Sequence, residues 1–357
     1  MNSLDFLPPL PEGAERSVII GRSPGFHLKP PPAPAALRDF ITSDAQLFET
    51  IHMGSVEVDV NRWRLQVDGL VRRPFSIGLD DLRRLPSVSV TAFHECFGSP
   101  LVPADGNLWR VGNVRWTGVP LAVLLKHAQL DTGATHVWSD GLDSGEFGGR
   151  SMNRYRKDLP ISKALSREVL VAYEMNGAPL TRERGGPVRL VVPGWFGTNM
   201  TKWLCRLSVQ GQRADSPFTT LWYNRDSEHE GKVDREPVWA VEPNSMITHP
   251  APGDTVSTDA VEVKGWAWSN NGIGGVALSA DDGETWHEAE VRPRREFEWQ
   301  QFAATLALPR TAGPVSIIAR ARDADGSMQP LSGTRSAAHS VQIERLLPDA
   351  KTADAGT

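Results

Sequence analysis

Gly186-Pro187-Val188-Arg189-Leu190-Val191-Val192-Pro193-Gly194 is an apolar run with Arg189 inside it and Gly and Pro at both ends. A run this short, closed by a turn signal, reads as a central strand. Upstream, Trp63, Leu65 and Val67 alternate with polar neighbours, as on a half-buried strand. Val119–Ala128 has the apolar spacing of a helix, and Ile161–Leu170 is a second, weaker candidate. Strands and short helices therefore mix over residues 39–212, which is an α+β pattern. Downstream the character changes. Residues 213–237 are polar with no sustained period and read as a connector. Beyond them Val261–Trp268, Gly275–Ser279 and Val315–Arg322 are short strand candidates, with turn signals at Asp282-Gly283 and Asp325-Gly326. Short strands at regular spacing without helices predict an all-β sandwich over residues 238–346. Pro8-Pro9, Pro11 and Pro30-Pro31-Pro32 oppose helix and sheet alike, so residues 1–38 are expected to be an extended arm. Residues 347–357 read as a disordered tail.

The chain has 357 residues, more than one core usually holds, which agrees with two domains. Its 40% hydrophobic and 23% charged residues are ordinary for a soluble globular protein. A net charge of -5 leaves no basic excess to neutralise phosphates, so no nucleic-acid partner is expected. No apolar run approaches the roughly 20 residues that a membrane span needs. Met1-Asn2-Ser3-Leu4-Asp5 lacks the basic start and apolar centre of a signal peptide. The expectation is a soluble protein without a membrane partner, cytoplasmic as the sequence stands and periplasmic only if a leader has been removed. Only two cysteines occur, Cys96 and Cys205. That number excludes a disulfide scaffold, a Cys-rich zinc site, an iron–sulfur cluster and a c-type haem, each of which needs clustered cysteines.

Cys96 lies in Phe93-His94-Glu95-Cys96-Phe97-Gly98, just after the strand-like stretch of Val88 and Val90. Locally, three readings stay open: an inert small hydrophobe, a ligand for a soft metal, and a nucleophile. Glu95 disfavours the last, because a neighbouring carboxylate raises a thiol pKa, whereas a high-valent metal would hold the thiolate directly. Cys205, in Trp203-Leu204-Cys205-Arg206-Leu207, reads as a buried structural thiol.

A wider set of segments resembles the molybdopterin-binding domain of the sulfite oxidase family. It comprises Phe48 to His52, Arg62-Trp63-Arg64-Leu65-Gln66-Val67-Asp68-Gly69, Cys96, Trp109-Arg110-Val111-Gly112-Asn113, and Trp116-Thr117-Gly118-Val119. Gly141-Leu142-Asp143-Ser144, Ala172-Tyr173-Glu174-Met175-Asn176-Gly177, the opening run at 186–194 and Lys202-Trp203 continue it. Val263-Lys264-Gly265-Trp266-Ala267-Trp268 and Asp281-Asp282-Gly283-Glu284-Thr285-Trp286 resemble that family's immunoglobulin-like dimerisation domain. The resemblance runs in order from about Phe40 to Gln329. It implies an α+β molybdopterin-binding domain followed by an all-β immunoglobulin-like sandwich, a molybdenum–molybdopterin cofactor, and a homodimer. It also implies oxo transfer on a small-molecule substrate, by family default sulfite to sulfate, with an external electron acceptor such as a cytochrome.

Carried over by position, the resemblance makes Cys96 the thiolate on molybdenum. Phe48 and His52 would line the cofactor, and Asp143, Arg189 and Lys202 would hold its pterin rings and phosphate. Arg184 stands where the family often has a cofactor-binding His, and Thr198 lies in Gly197-Thr198-Asn199-Met200, where the family has a Gly-Ala-Arg-His run. Trp109 would form a wall of the substrate pocket, with Arg110 and Tyr223 beside it. Each has a structural alternative: a core aromatic for Trp109 and Phe48, a turn residue for Asp143, an edge salt bridge for Arg189.

The departures from the family gather on the substrate side. Cys96 is followed by Phe97-Gly98-Ser99-Pro100 where the family has a Gly-Asn-Arg-Arg type run, and Thr50-Ile51 replaces Arg-Asn before the His. The pocket tyrosine aligns with Ser227, with Tyr223 the replacement if the loop shifts. Losing a bidentate arginine forfeits roughly 1.5–3 kcal/mol of charge-assisted binding to an oxyanion, unless Arg110 or Arg225 supplies the charge. Two alternatives follow: an enzyme for a sulfoxide or other weakly charged substrate, suited to Ile51, Phe97 and Met200, and a non-catalytic two-domain binding protein. The family's Trp-Asn ending reads Leu331-Ser332-Gly333-Thr334-Arg335, and Trp266, Trp268 and Trp286 serve equally as core or interface residues.

Overall fold

The computed structural model describes residues 16–99, 109–229 and 232–347, so residues 1–15 of the expected arm and 348–357 of the expected tail lie outside the described residues. The chain forms two compact units, each discontinuous in sequence. One takes residues 1–30, 47–97 and 114–240, and the other takes 31–46, 98–113 and 241–357. Consecutive blocks were expected at 39–212 and 238–346; instead the second unit draws in two earlier segments.

In the first unit, a five-stranded sheet runs in the order Arg156–Pro160, His136–Gly141, Leu204–Gln210, Leu65–Gly69, Phe75–Ile77. Trp63, Leu65 and Val67, the alternating residues, are all buried there, and Trp63 Nε1 donates to Leu204 O at 2.9 Å. A second sheet orders Ala178–Pro179, Leu170–Met175, Val111–Pro120 and Val88–Glu95, and Arg189–Val191 also pairs with Leu170–Met175. The expected central strand is thus present, shortened to three residues.

Leu121–Ala128 is the expected helix, with Leu121, Leu124, Leu125 and Ala128 buried at helical spacing. The second candidate is mostly not helical: Ile161–Ala164 makes one turn, and Leu170–Met175 is a strand. Between them residues 165–169 form turns, and only Leu170 of the candidate joins the buried strand, whose run Leu170, Val171 and Ala172 suits sheet pairing. Within the expected arm, Ile19–Pro24 pairs with Gly54–Val58 and His27–Lys29 with Glu49–Ile51, the proline-poor stretch supplying the strands. Within the expected connector, Pro217–Thr220 is a helix capped by Ser216, and Asn224–His229 pairs with Lys232–Pro237. Phe218 anchors that helix in an aromatic cluster that the segment's mean polarity hides.

The second unit has a four-stranded sheet (Asn244–His249, Ala260–Trp268, Gln300–Ala307, Glu290–Val291) and a five-stranded one (Thr255–Val256, His339–Arg345, Gly313–Asp323, Ile273–Ser279, His287–Glu288). Val263 and Phe302 from the first share one hydrophobic core with Val276, Ile317 and Val341 from the other. Asp282 and Gly283 both have positive φ, 55° and 90°, as the Asp-Gly signal requires. Trp266 and Trp268 are core residues: Trp266 stacks on Trp299 at 4.7 Å and donates its Nε1 to Leu37 O at 2.7 Å. Among the described residues no helix is long and apolar enough to cross a membrane.

Candidate active site

The first unit contains a cavity lined by Phe48, His52, Cys96, Asp143, Arg184, Arg189, Thr198, Lys202 and Tyr223. Several local devices bring them together. The buried strand Val88–Glu95 ends one residue before Cys96, which presents the thiol at the strand's end. Glu49–Ile51, held by His27–Lys29, sets Phe48, Thr50 and His52. Asp143 follows the strand His136–Gly141, and Arg189 belongs to the short strand beside Leu170–Met175. Tyr223 turns into the cavity on a left-handed backbone with φ 58°.

One part of the lining is cationic. Arg184 donates to Phe48 O at 2.7 Å and Leu47 O at 3.0 Å, and pairs with Glu49 at 3.7 Å. Lys202 Nζ donates to Glu183 O at 2.7 Å and Thr50 O at 3.3 Å. Arg189 is buried without the edge salt bridge considered for it; its Nη1 donates to Arg184 O at 3.1 Å and its guanidinium lies 4.9 Å over the Trp116 ring. Burial, reinforced by the neighbouring arginines, pushes Lys202 down to about 7 and Arg189 down to about 9. Burial pushes Asp143 up to about 7, against its own backbone hydrogen bond and the pull of Lys202 and Arg22. The other part is aromatic. His52 Nε2 meets Tyr223 OH at 2.6 Å, and Phe97 sets its ring edge-on to Tyr223 at 5.8 Å and to Phe196 at 5.3 Å. Tyr155 OH donates to Thr198 O at 2.5 Å, and burial raises its pKa well above the usual phenol value. Thr50 Oγ1 donates to Cys96 Sγ at 3.7 Å.

Trp109 and Arg110 do not line this cavity. Both lie in the segment that belongs to the second unit, where Trp109 is buried edge-on to Trp268 at 5.8 Å and to His339 at 6.3 Å. The core-aromatic alternative therefore describes Trp109, whose large apolar ring fills that unit's interior. Arg110 lies against Gly98, where an added Cβ would come 2.8 Å from Nη2. Arg225 is on the hairpin and pairs with Glu236 at 3.9 Å. The Ser227 side chain lies outside the described residues. Cys205 is half-buried, its thiol pushed up to about 12 by desolvation and by Asp140. Glu49 and Trp203, which lie in segments of the resemblance but were given no role, and Tyr155, which no pattern marks, also line the cavity. Tyr155 sits among charged residues in Arg154-Tyr155-Arg156, so no periodicity betrays its burial.

The lining fits a polar, anionic cofactor. Asp143 Oδ1, Arg189 Nε and Trp203 Nε1 are buried with no partner in the protein, and such groups normally find one. Their donor and acceptor mixture suits a heterocycle bearing ring N–H groups, and the Arg184, Arg189 and Lys202 cluster suits a phosphate. No group of three or more His, Cys, Asp or Glu is gathered as a metal site among the described residues. A soft metal here would take Cys96 as its protein donor and its other donors from the cofactor.

Residues 52–218 match the family described as oxidoreductase molybdopterin binding domain, and residues 235–342 match the Mo-co oxidoreductase dimerisation domain. The chain is 33% identical to mitochondrial sulfite oxidase of Homo sapiens, over 85% of its own length and 60% of the human protein's. It is 33% identical to sulfite oxidase of Gallus gallus, over 84% of its length and 70% of that protein's. It thus spans less than two thirds of the human relative. Among solved structures, the sulfane dehydrogenase SoxCD from Paracoccus pantotrophus superimposes with a TM-score of 0.76 at 26% identity, covering 96% of this chain and 92% of that one.

Proposed function

Because the chain belongs to the sulfite oxidase family of molybdopterin-dependent oxidoreductases, we propose that it transfers an oxygen atom to or from a small substrate and exchanges electrons with an external acceptor, a cytochrome or another one-electron carrier. The observation that carries this reading is the meeting of one thiol, Cys96, with a cationic cluster and unpartnered polar atoms in one cavity. The molybdenum–molybdopterin group supplies two-electron oxygen-atom transfer when bound. Cys96 contributes the soft thiolate donor that stabilises a high oxidation state. Arg189 offers its unused Nε–H to an anionic oxygen, with Lys202 beside it. Asp143, ionised, accepts from a ring N–H, and Trp203 Nε1 donates to a ring acceptor.

His52 and Tyr223, joined at 2.6 Å, can give a hydrogen bond to a substrate oxygen or take a proton from water. Tyr155 stacks on His52 at 5.8 Å and Phe97 stands edge-on to Tyr223 at 5.8 Å, so aromatic rings flank that pair. Relatives named for sulfite make sulfite the first substrate to assay. The second unit is read as an immunoglobulin-like dimerisation domain, so sedimentation is expected to give twice the chain mass.

The test is metal analysis of protein made in a host that synthesises molybdopterin, with about one molybdenum per chain expected. Cys96→Ser is expected to keep the wild-type circular dichroism and lose oxo transfer by at least ~1,000-fold. Metal-free wild-type protein, or full activity in Cys96→Ser, would sink the reading; the first result would favour the non-catalytic binding protein.

A further inference from the structure

We infer that the substrate end of this cavity is built for a neutral organosulfur compound, a sulfoxide or its thioether, and not for a sulfite-like oxyanion. The inference rests on the oxidoreductase reading above and adds the substrate class to it.

Three observations carry it. First, the residue after Cys96 is Phe97, whose ring stands edge-on to Tyr223 and Phe196, so the wall beside the thiol is aromatic. Ile51 and Met200, both buried, add apolar lining. Second, the cations of the cavity are committed elsewhere. Arg184 serves Leu47 O, Phe48 O and Glu49; Lys202 serves Thr50 O and Glu183 O; Arg189 serves Arg184 O and stacks on Trp116. What donor capacity remains is the set assigned to the cofactor. The other candidate cations, Arg110 and Arg225, are absent from the lining. Third, the polar handle among the rings is the His52–Tyr223 pair, which suits one S=O oxygen and offers no permanent charge to balance a dianion.

The physics favours the neutral ligand. Sulfur against aromatic edges is attractive, so Phe97 and Tyr223 would hold the substituents of a thioether or sulfoxide. A desolvated oxyanion facing these rings would lose the charge-assisted partners it needs, roughly a ten- to hundredfold cost in binding for each missing contact. The overall reaction balances: one sulfoxide takes up an electron pair and a pair of protons, and gives one thioether and one water. The S–O bond breaks, sulfur gains the electron pair, and the oxygen leaves as water with both solvent protons. Two equivalents of a reduced one-electron dye supply the electrons, and a one-electron oxidant takes them in reverse.

The test uses the holoenzyme and two independent readouts. Dissociation constants for dimethyl sulfone (a neutral, unreactive isostere) and for sulfate are read from tryptophan fluorescence at about 0.15 M ionic strength. Values of kcat/KM are measured for dimethyl sulfoxide with reduced methyl viologen and for sulfite with ferricyanide. The sulfone is expected to bind at least ~10-fold tighter than sulfate, and the sulfoxide kcat/KM to exceed that for sulfite by ~100-fold. Phe97→Arg is expected to move the ratio at least ~10-fold toward sulfite. Sulfate binding tighter than sulfone, together with preferred turnover of sulfite, overturns the inference while the oxidoreductase reading stands. Neither sulfur substrate turning over on metal-loaded enzyme that also ignores the sulfone overturns it as well. Protein that carries no molybdenum but still selects the sulfone defeats the oxidoreductase reading alone. The wild-type binding comparison keeps the test decisive even if the arginine variant does not fold.

Discussion

Lys157 is a charged side chain with 1% of its surface exposed, and its ammonium donates to Phe218 O at 2.9 Å while lying 5.6 Å from the Tyr223 ring centroid. Burial pushes it down to about 7 against the pull of Asp158, whose own partner is Arg213 at 3.1 Å. Between about 7 and 10.5 the unfolded chain therefore binds a proton that the folded chain has released, so stability rises with pH across that window. Lys202, also down to about 7, adds in the same sense. Metal-free protein is expected to gain stability between pH ~7.5 and ~8.5, at up to ~1.4 kcal/mol per group and pH unit. Lys157→Met is expected to remove one proton's share of that slope, read from urea midpoints at the two pH values; an unchanged slope would refute the assignment. Little of this was legible beforehand. From local pattern alone Cys96 was a cysteine after an apolar stretch and Arg189 a charge within a strand; their roles at the cofactor came from the family resemblance. What fixes their surroundings is burial by segments far away in the chain, which no local pattern contains. Lys157 and Tyr155 gave no signal, because their charged neighbours read as a solvated face.

Gly69 closes the strand Leu65–Gly69 with φ 88°, and a Cβ there would sit 2.1 Å from Val209 O on the parallel neighbour Leu204–Gln210. Both the left-handed backbone and the close approach require glycine. Gly69→Ala is expected to cost about 2–4 kcal/mol, seen as a lower urea midpoint. A change under ~0.5 kcal/mol would show that the strands can part without cost. Elements were read best where periodicity and tertiary demand agreed, as in the helix Leu121–Ala128 and the strand Leu65–Gly69, which buries Leu65 and Val67 just after Trp63. They were misread where the two conflicted. The apolar spacing of Ile161–Leu170 suggests a helical face, yet the helix stops at Ala164 and Leu170 enters a strand buried on both sides, where the β-branched Val171 beside it prefers the extended form. The polar stretch around residue 217 hid Phe218, a single ring that decides how the segment packs.

At the scale of the molecule, the sandwich read from residues 238–346 is incomplete by itself. Trp266 Nε1 donates to Leu37 O, Trp299 Nε1 donates to Phe40 O at 3.0 Å, and Trp109 fills the space beside Trp268, all within the second unit. A fragment of residues 238–346 is expected to leave those indole N–H groups without acceptors and to show poorly dispersed amide resonances. Sharp, dispersed spectra from that fragment would show that the early segments are ornamental. Patterning separates a part that mixes strands and helices from a part made of strands, but not which early segments join the second unit, because residues 31–46 and 109–113 carry no mark of the partner they join. That discontinuity also orders events on the ribosome. Residues 109–113 belong to the second unit, and they emerge long before residues 241–347 exist to receive them. Translation at roughly 5–20 residues per second leaves that stretch waiting for several seconds or more. Through that interval the early segments have no partner strands, whereas the cavity, lined by residues 47–97 and 143–223 of the first unit, does not wait for them.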